Sequence, residues 1–481
     1  MTGWTLSAAA VVSVAALPAA EPVSPAEARE ALHRAVHFFR TQASAGGGYI
    51  YRLSADLTKR EGEGVVGPTT AWIQPPGTPA VGLAYLNAYR LTRDPVLLDA
   101  AHETALCLVR GQLVSGGWDN MIEFDPARRR RIAYRVDGNR EGANTTTFDD
   151  DKSQSALRFL MQFDRERQFE DEVVHEAVRY AQESFLKAQY PNGAWPQRYR
   201  DDPRAEDFPV LAASYPQEWP RTFPEVDYQG FYTLNDNTIS DLIVTMLDAA
   251  DIYGEERFRQ SAVRGGEFFL LAQMPEPQPG WCQQYDREMH PVWARKFEPP
   301  ALSGGESQGV MQTLLLLYRR TGEARFLEPI PRALAYYRRS LRPDGRLARF
   351  YELGTNRPLY FTKDYQLTDS DADMPTHYGF IVGSKLESIS RTYEELQQTS
   401  PAERASSPPS ATRPVETPRM SERLAEEAAG VVRALDERGA WVEAGRLRDH
   451  PSDATTQVIE SATFIRNLDV LSRYLAASSA R

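Results

Sequence analysis

The 481 residues carry 42% hydrophobic and 10% aromatic side chains and a net charge of −11. This composition can bury a large core, and the acidic balance excludes general nucleic-acid affinity, because neutralising phosphates needs a basic surface. The length fits one helical toroid or two ordinary domains.

In residues 1–20 an apolar run from Leu6 to Leu17 closes on Pro18, Ala19 and Ala20. It is too short and alanine-rich for a membrane span and reads as a signal-peptide core, although no Lys or Arg precedes Arg29. A secreted or periplasmic, monomeric protein without a membrane partner is expected. Ser24-Pro25-Ala26-Glu27 has capping-box spacing with proline at the first helical position, and Leu32, Ala35, Val36 and Phe39 follow on one face. The cysteines, Cys107 and Cys282, lack metal-ligand spacing, and Cys107 lies in an apolar helical pattern where a buried free thiol is the expected state.

That first helix runs into Gly46-Gly47-Gly48-Tyr49, and a helix ending on glycine plus an aromatic recurs in irregular copies. The copies are Gly117-Trp118, Gly193-Ala194-Trp195, Gly280-Trp281, Gly345-Arg346-Leu347 and Gly439-Ala440-Trp441. Between copies lie second apolar segments with similar joints at 91–94, 164–167, 253–256 and 321–324, so each repeat is a helix hairpin. Tandem hairpins either stack as an open solenoid or close into a ring, and the long variable loops favour the ring: an all-α fold, an α/α toroid with long loops and short strands at one mouth. Residues 21–398 are expected to form the toroid that carries the site, and 399–418, rich in Ser, Pro, Ala and Thr, a flexible linker. Residues 419–481 supply helical stripes (Leu424, Ala428, Val431, Leu435; Leu468, Leu471, Leu475) that complete the shell.

In a ring of hairpins every first helix begins at the same end, so function should collect there. Asp149, Asp150 and Asp151 precede one such helix, Asn235 and Asp236 a second, and Glu306 a third. Asp and Asn before a helix are also ordinary N-caps worth about 1 kcal/mol each. Three consecutive aspartates exceed what capping requires, because their repulsion is unfavourable unless a cation lies nearby. With no His/Cys cluster for zinc, a hard oxygen-binding ion such as Ca²⁺ is the natural candidate. Asp149, Asp150, Asp236 and Glu306 are candidate ligands, and the pattern does not fix which of them bind. The Asp369–Asp373 stretch lacks the glycine and glutamate of an EF-hand and reads as a solvated loop.

The loops also carry Arg198, Arg295 and Arg349, and arginine pairs bidentately with carboxylates, which suits a polyuronate, although one arginine alone is as readily a surface salt bridge. The run Arg128–Arg131 reads as a solvated face, with steering of a polyanion the alternative. Trp118, Trp195 and Trp281 are either sugar-stacking platforms or buried loop anchors.

Four segments then carry a resemblance. They are Thr147-Phe148-Asp149-Asp150 with Gln154 through Leu160, Gln189 through Gln197, Tyr232 through Asn237, and Trp281 through Gly309 with Trp293-Ala294-Arg295 and Glu298 through Ser307. Together with Ala348–Glu352 and Thr355–Pro358, they resemble the family-10 polysaccharide lyases, pectate lyases built on an α/α toroid, over most of residues 80–365. The resemblance implies cleavage of an anionic polysaccharide by β-elimination, with Arg295 as base and Asp149 and Asp236 holding Ca²⁺ and the substrate carboxylate. It also implies that Arg349 binds substrate, with Trp195, Arg198, Asn235, Lys152 and Lys363 as further candidate substrate contacts. Removing a proton α to a carboxylate requires the extra negative charge to be neutralised, which a metal and cationic side chains can do.

Departures fall at Asp150-Asp151-Lys152-Ser153, where such lyases usually carry Asn, a small residue, Ala and Thr. Lys363 replaces an arginine, and Met374 through Tyr378 replaces an arginine-rich stretch. A glycoside hydrolase using two of the carboxylates, or a non-catalytic uronate-binding protein, are the alternative readings.

Overall fold

The computed structural model describes residues 23–225, 227–228, 230–400, 403, 410–413, 415–450 and 452–479, so the expected signal segment lies outside the described residues. Ser24 caps α1 (Pro25–Phe38) through the full capping box with Glu27. The other helices are α2 (Thr78–Thr92), α3 (Pro95–Gly111), the short α4 (Pro126–Arg129), α5 (Lys152–Glu166) and α6 (Glu172–Lys187). They continue with α7 (Thr238–Tyr253), α8 (Glu256–Ala272), α9 (Glu306–Thr321), α10 (Ile330–Arg339), α11 (Leu386–Gln398), α12 (Glu422–Ala434) and α13 (Ser461–Ser479).

Helices α13, α2, α5, α7, α9 and α11 pack side by side in that order as the inner layer of an α/α toroid. Helices α1, α3, α6, α8, α10 and α12 lie outside them. The C-terminal helix packs on α1 and α2, and residues 458–460 pair antiparallel with 52–54, so the chain's end is stitched to its beginning. Other short antiparallel pairs join successive loops at one mouth: Thr146–Thr147 with Arg198–Tyr199, Tyr232–Thr233 with Gln284–Tyr285, and Ala301–Ser303 with Phe350–Glu352.

The recurring glycine and aromatic have a packing cause. Gly193 sits at φ 93°, and a Cβ there would lie 2.0 Å from the Arg264 carbonyl of α8. Gly439, at φ 91°, presses in the same way on the Arg34 carbonyl of α1, so only glycine lets these turns abut the neighbouring outer helix. The tryptophan that follows then pins the helix just ended. Trp118 donates its indole N–H to the Leu108 carbonyl, Trp195 to Phe185, Trp281 to Phe269 and Trp441 to Val431, at 2.7–2.9 Å. At the next inner helix Ser153 and Ser307 bond both the N–H and the carbonyl of Trp118 and Trp281.

Two expectations change here. Arg129 is not part of a solvated face: it is buried, donating to the carbonyls of Glu123, Arg110 and Val136. Within the 399–418 segment, residues 411 and 412 are docked, since Arg165 donates to the carbonyls of Ala411 and Thr412 and Ala411 is buried. Both cysteines are free and buried. No helix among the described residues is long and apolar enough to cross a membrane.

Candidate active site

Helices α5 and α7 begin in the same unusual way. Asp150 and Asp151 take left-handed φ of 51° and 57°, and Asp236 and Asn237 take 49° and 59°. Such a conformation is uncommon outside glycine, least so for Asp and Asn, and consecutive cases concentrate at functional sites. None of these side chains caps its helix. The N-cap reading is thereby excluded for both turns. Instead the turns project Asp149, Asp150 and Asp236 toward each other, with one carboxylate oxygen from each within 4.8 Å of the others.

The cluster is under-neutralised. Asp236 still meets solvent, but partial desolvation, followed by the charges of Asp150 and Asp149, pushes it up to about 7. Asp149 is raised by burial and by Asp150, against the opposing pull of Lys152, Gln197 and Arg295. Asp149 Oδ1 is buried without a hydrogen-bond partner, as is Asn235 Oδ1, while Asn235 Nδ2 donates to Asp236. An unpaired buried oxygen is costly, and three carboxylates gathered around one point, all hard donors, fit a Ca²⁺ ion.

Two arginines lie within electrostatic reach of this cluster, Arg295 and Arg349. Arg295 lies within electrostatic reach of Asp149 and Asp236, so these three expected site residues share one region of the structure. Its guanidinium is held by Glu298 through Nε at 2.8 Å and through Nη2, between the rings of Phe297 and Tyr378 at 4.9 and 5.5 Å. Burial acts to lower its pKa, but the Glu298 bonds outweigh that and hold Arg295 above the ordinary arginine value. Arg349 donates from Nη1 to Glu306 at 2.7 Å and from Nε to the Gly379 carbonyl, and it too stacks on Tyr378 at 4.7 Å. Beneath Asp236 and Arg349 a cavity of about 630 Å³ runs between α7 and α9.

Several expected residues stand elsewhere. Glu306 is not in the carboxylate group: Arg349 takes one of its oxygens and Ser303 the other, although its charge still acts on Asp236. Trp195 is fully buried with its N–H bonded, so it anchors its loop and presents no face to a sugar. Lys152 is also buried, its Nζ 3.0 Å from Asp150 Oδ2, and acts as an internal counter-ion in place of a substrate contact. Lys363 is exposed and pairs with Asp373 at 3.0 Å. Arg198 is exposed at the mouth, where it and Arg295 both act on Tyr228.

Sequence reasoning missed Tyr378, Tyr228 and the role of Glu298. The spacing of Arg295 and Glu298 was a usable signal for the last. Tyr378 lies in a loop without periodicity, and its hydroxyl sits 3.0 Å from Glu298 and 3.4 Å from Arg349.

Residues 112–346 match the family described as pectic acid lyase. This part of the chain belongs to that family. The chain is accordingly a polysaccharide lyase. The pectic acid lyase segment contains the carboxylate cluster, Arg295 and Glu298, whereas Arg349 and Tyr378 come from beyond it. Among solved structures, the family 10 polysaccharide lyase from Cellvibrio cellulosa is 22% identical, with a TM-score of 0.44 over 66% of this chain and 97% of that one. A mutant of it in complex with trigalaturonic acid gives 20%, 0.45, 66% and 98%. An unsaturated glucuronyl hydrolase from Streptcoccus agalactiae is 10% identical, with a TM-score of 0.40 over 95% of this chain and 93% of that one. No curated protein matches the chain.

Proposed function

We propose that the chain is a Ca²⁺-assisted pectate lyase that cleaves α-1,4-linked galacturonan by β-elimination, with Arg295 as the base. The observation that carries this reading is the meeting of Asp149, Asp150 and Asp236 within 4.8 Å, with Arg295 in electrostatic reach. Asp149, Asp150 and Asp236 would hold the cation, with Asn235 Oδ1 nearby as a neutral donor. When bound, the cation supplies positive charge that neutralises the uronate carboxylate and acidifies the adjacent C5 proton.

Arg295 takes that proton, the C5–H electron pair becomes the C4–C5 double bond, and the C4–O bond breaks, with the leaving oxygen taking a proton from solvent. Arg349, held by Glu306 through Nη1 and by the Gly379 carbonyl through Nε, offers Nη2 to a uronate carboxylate. Glu298 fixes the guanidinium of Arg295 by two of its nitrogens, leaving Nη1 to face the substrate. The same contact favours the charged form, so a cation at the aspartates is needed to tip Arg295 toward neutrality.

A hydrolase fits less well. Three carboxylates gathered so that one oxygen of each lies within 4.8 Å of the others suit a shared cation, whereas a hydrolase needs an acid and a second carboxylate set apart across the scissile bond. A polymeric substrate accords with action outside the cell. Incubation with polygalacturonate tests the reading. Ultraviolet-absorbing unsaturated ends should appear, disappear with chelator and return with Ca²⁺. New reducing ends without absorbance would refute it.

A further inference from the structure

The long loop ahead of Tyr232 does more than reach α7. Its 213–214 portion is tied down outside the inner ring, with Ala213 N–H donating to the Leu271 carbonyl at 2.7 Å and Ser214 N–H to Met289 at 3.2 Å. Between this loop and the turn at 286–293 lies a second concavity of about 310 Å³, distinct from the cavity beneath Arg349.

Its apolar wall is Trp219, Phe231, Trp293 and neighbouring prolines. Trp293 is buried and donates its indole N–H to the Pro220 carbonyl at 2.8 Å. Trp219 is half-buried, braced on one face by the Arg221 guanidinium at 4.0 Å, which is itself ion-paired with buried Glu352. The polar rim is Glu218, Asp286 and His290, and among the described residues lining it there is no lysine or arginine. Both ends of the structure connect to the reaction centre. Trp293 stands two residues before Arg295, and Glu352 shares a short strand segment with Arg349's neighbour Phe350.

We propose that this concavity is a subsite for a neutral sugar ring carried by the substrate polymer. The inference rests on the pectate-lyase reading and extends it to galacturonan that bears or is interrupted by neutral sugars. A pyranose offers a C–H face to an aromatic ring and hydroxyl donors to carboxylates, which is what this wall and rim can receive. A uronate would bring its own charge against Glu218 and Asp286, and Arg221, the cation beside Trp219, is already paired with Glu352, an arrangement that disfavours a further anion. The volume lies at the lower end of the about 300–1,000 Å³ of ligand pockets, room for a sugar unit and not for a long chain.

Isothermal titration of the full chain in chelator with galactotetraose, a neutral probe, and with trigalacturonate tests this without turnover. Galactotetraose should bind saturably, and trigalacturonate should not displace it. Trp219→Ala should weaken galactotetraose binding about tenfold or more, some 1.4 kcal/mol, and Trp219→Phe, which keeps an aromatic face, distinctly less. Cleavage of linear polygalacturonate by Trp219→Ala should stay within about twofold of the parent, which also shows that the variant folds. The inference is overturned if galactotetraose does not bind, if trigalacturonate displaces it, or if the Trp219→Ala variant binds it as the parent does. Loss of all lyase activity alongside intact galactotetraose binding would instead sink the pectate-lyase reading alone.

Discussion

Arg349, from the loop chain beyond α10, donates Nη1 to Glu306 Oε1 at 2.7 Å, on the first residue of α9. The pair joins two repeats across the mouth and removes Glu306 from the metal group. Glu306→Gln should therefore leave Ca²⁺ affinity within about threefold, whereas Asp236→Asn, which takes a charge out of the cluster, should lower it about tenfold or more. Calorimetric Ca²⁺ titration of the two variants checks this, and equal losses would restore Glu306 to the ligand set.

Trp195 supports the fold and not the sugar. Trp195→Ala removes a fully buried ring and its bond to α6, at a cost of about 3–5 kcal/mol. Denaturant unfolding should show that loss, while the folded fraction retains its KM for polygalacturonate. A raised KM with unchanged stability would return Trp195 to the substrate.

Much of this was legible in the sequence, for reasons the packing explains. Gly193 and Gly439 recur because each turn abuts a neighbouring helix carbonyl, and Trp195 and Trp441 recur because each pins the helix just ended. A repeated cause leaves a repeated pattern. The juxtaposition of Asp149, Asp236 and Arg295 was accessible because hairpin topology sends their loops to one end. What periodicity could not reveal was pairing between loops: that Arg349 occupies Glu306, that Lys152 turns inward onto Asp150, or that Tyr378 lies between two arginines. Nor does a Gly-Ala-Trp triplet say which way the ring points.

The base assignment makes a pH prediction. Glu298 holds Arg295 protonated, so Glu298→Gln should lower the Arg295 pKa. If the neutral guanidine is the active form, the rise of kcat with pH should shift to lower pH by about one unit. An unmoved profile would remove the Arg295 proton from the rate-limiting chemistry.

Asp241, one turn into α7 on the wall of the cavity, is pushed up to about 7 by burial and by Asp151, against Arg158. Its ordinary value is about 3.9. Between those values the folded chain keeps a proton that the unfolded chain releases, so stability falls as pH rises from about 4 through 7, and the full cost applies above 7. Asp241→Asn should thus raise Tm by a few degrees at about pH 8 and leave it unchanged near pH 4. A gain that is the same at both would contradict the burial argument.

The most direct test is the initial rate of unsaturated-product formation from polygalacturonate by Arg295→Ala at saturating Ca²⁺, read by ultraviolet absorbance beside the parent. The rate should fall by about 10²–10³ or more, the scale of losing one charge-stabilising or proton-transferring group, while the variant still binds Ca²⁺ as the parent does. A rate within a few-fold of the parent would show that residue 295 does not perform the elimination.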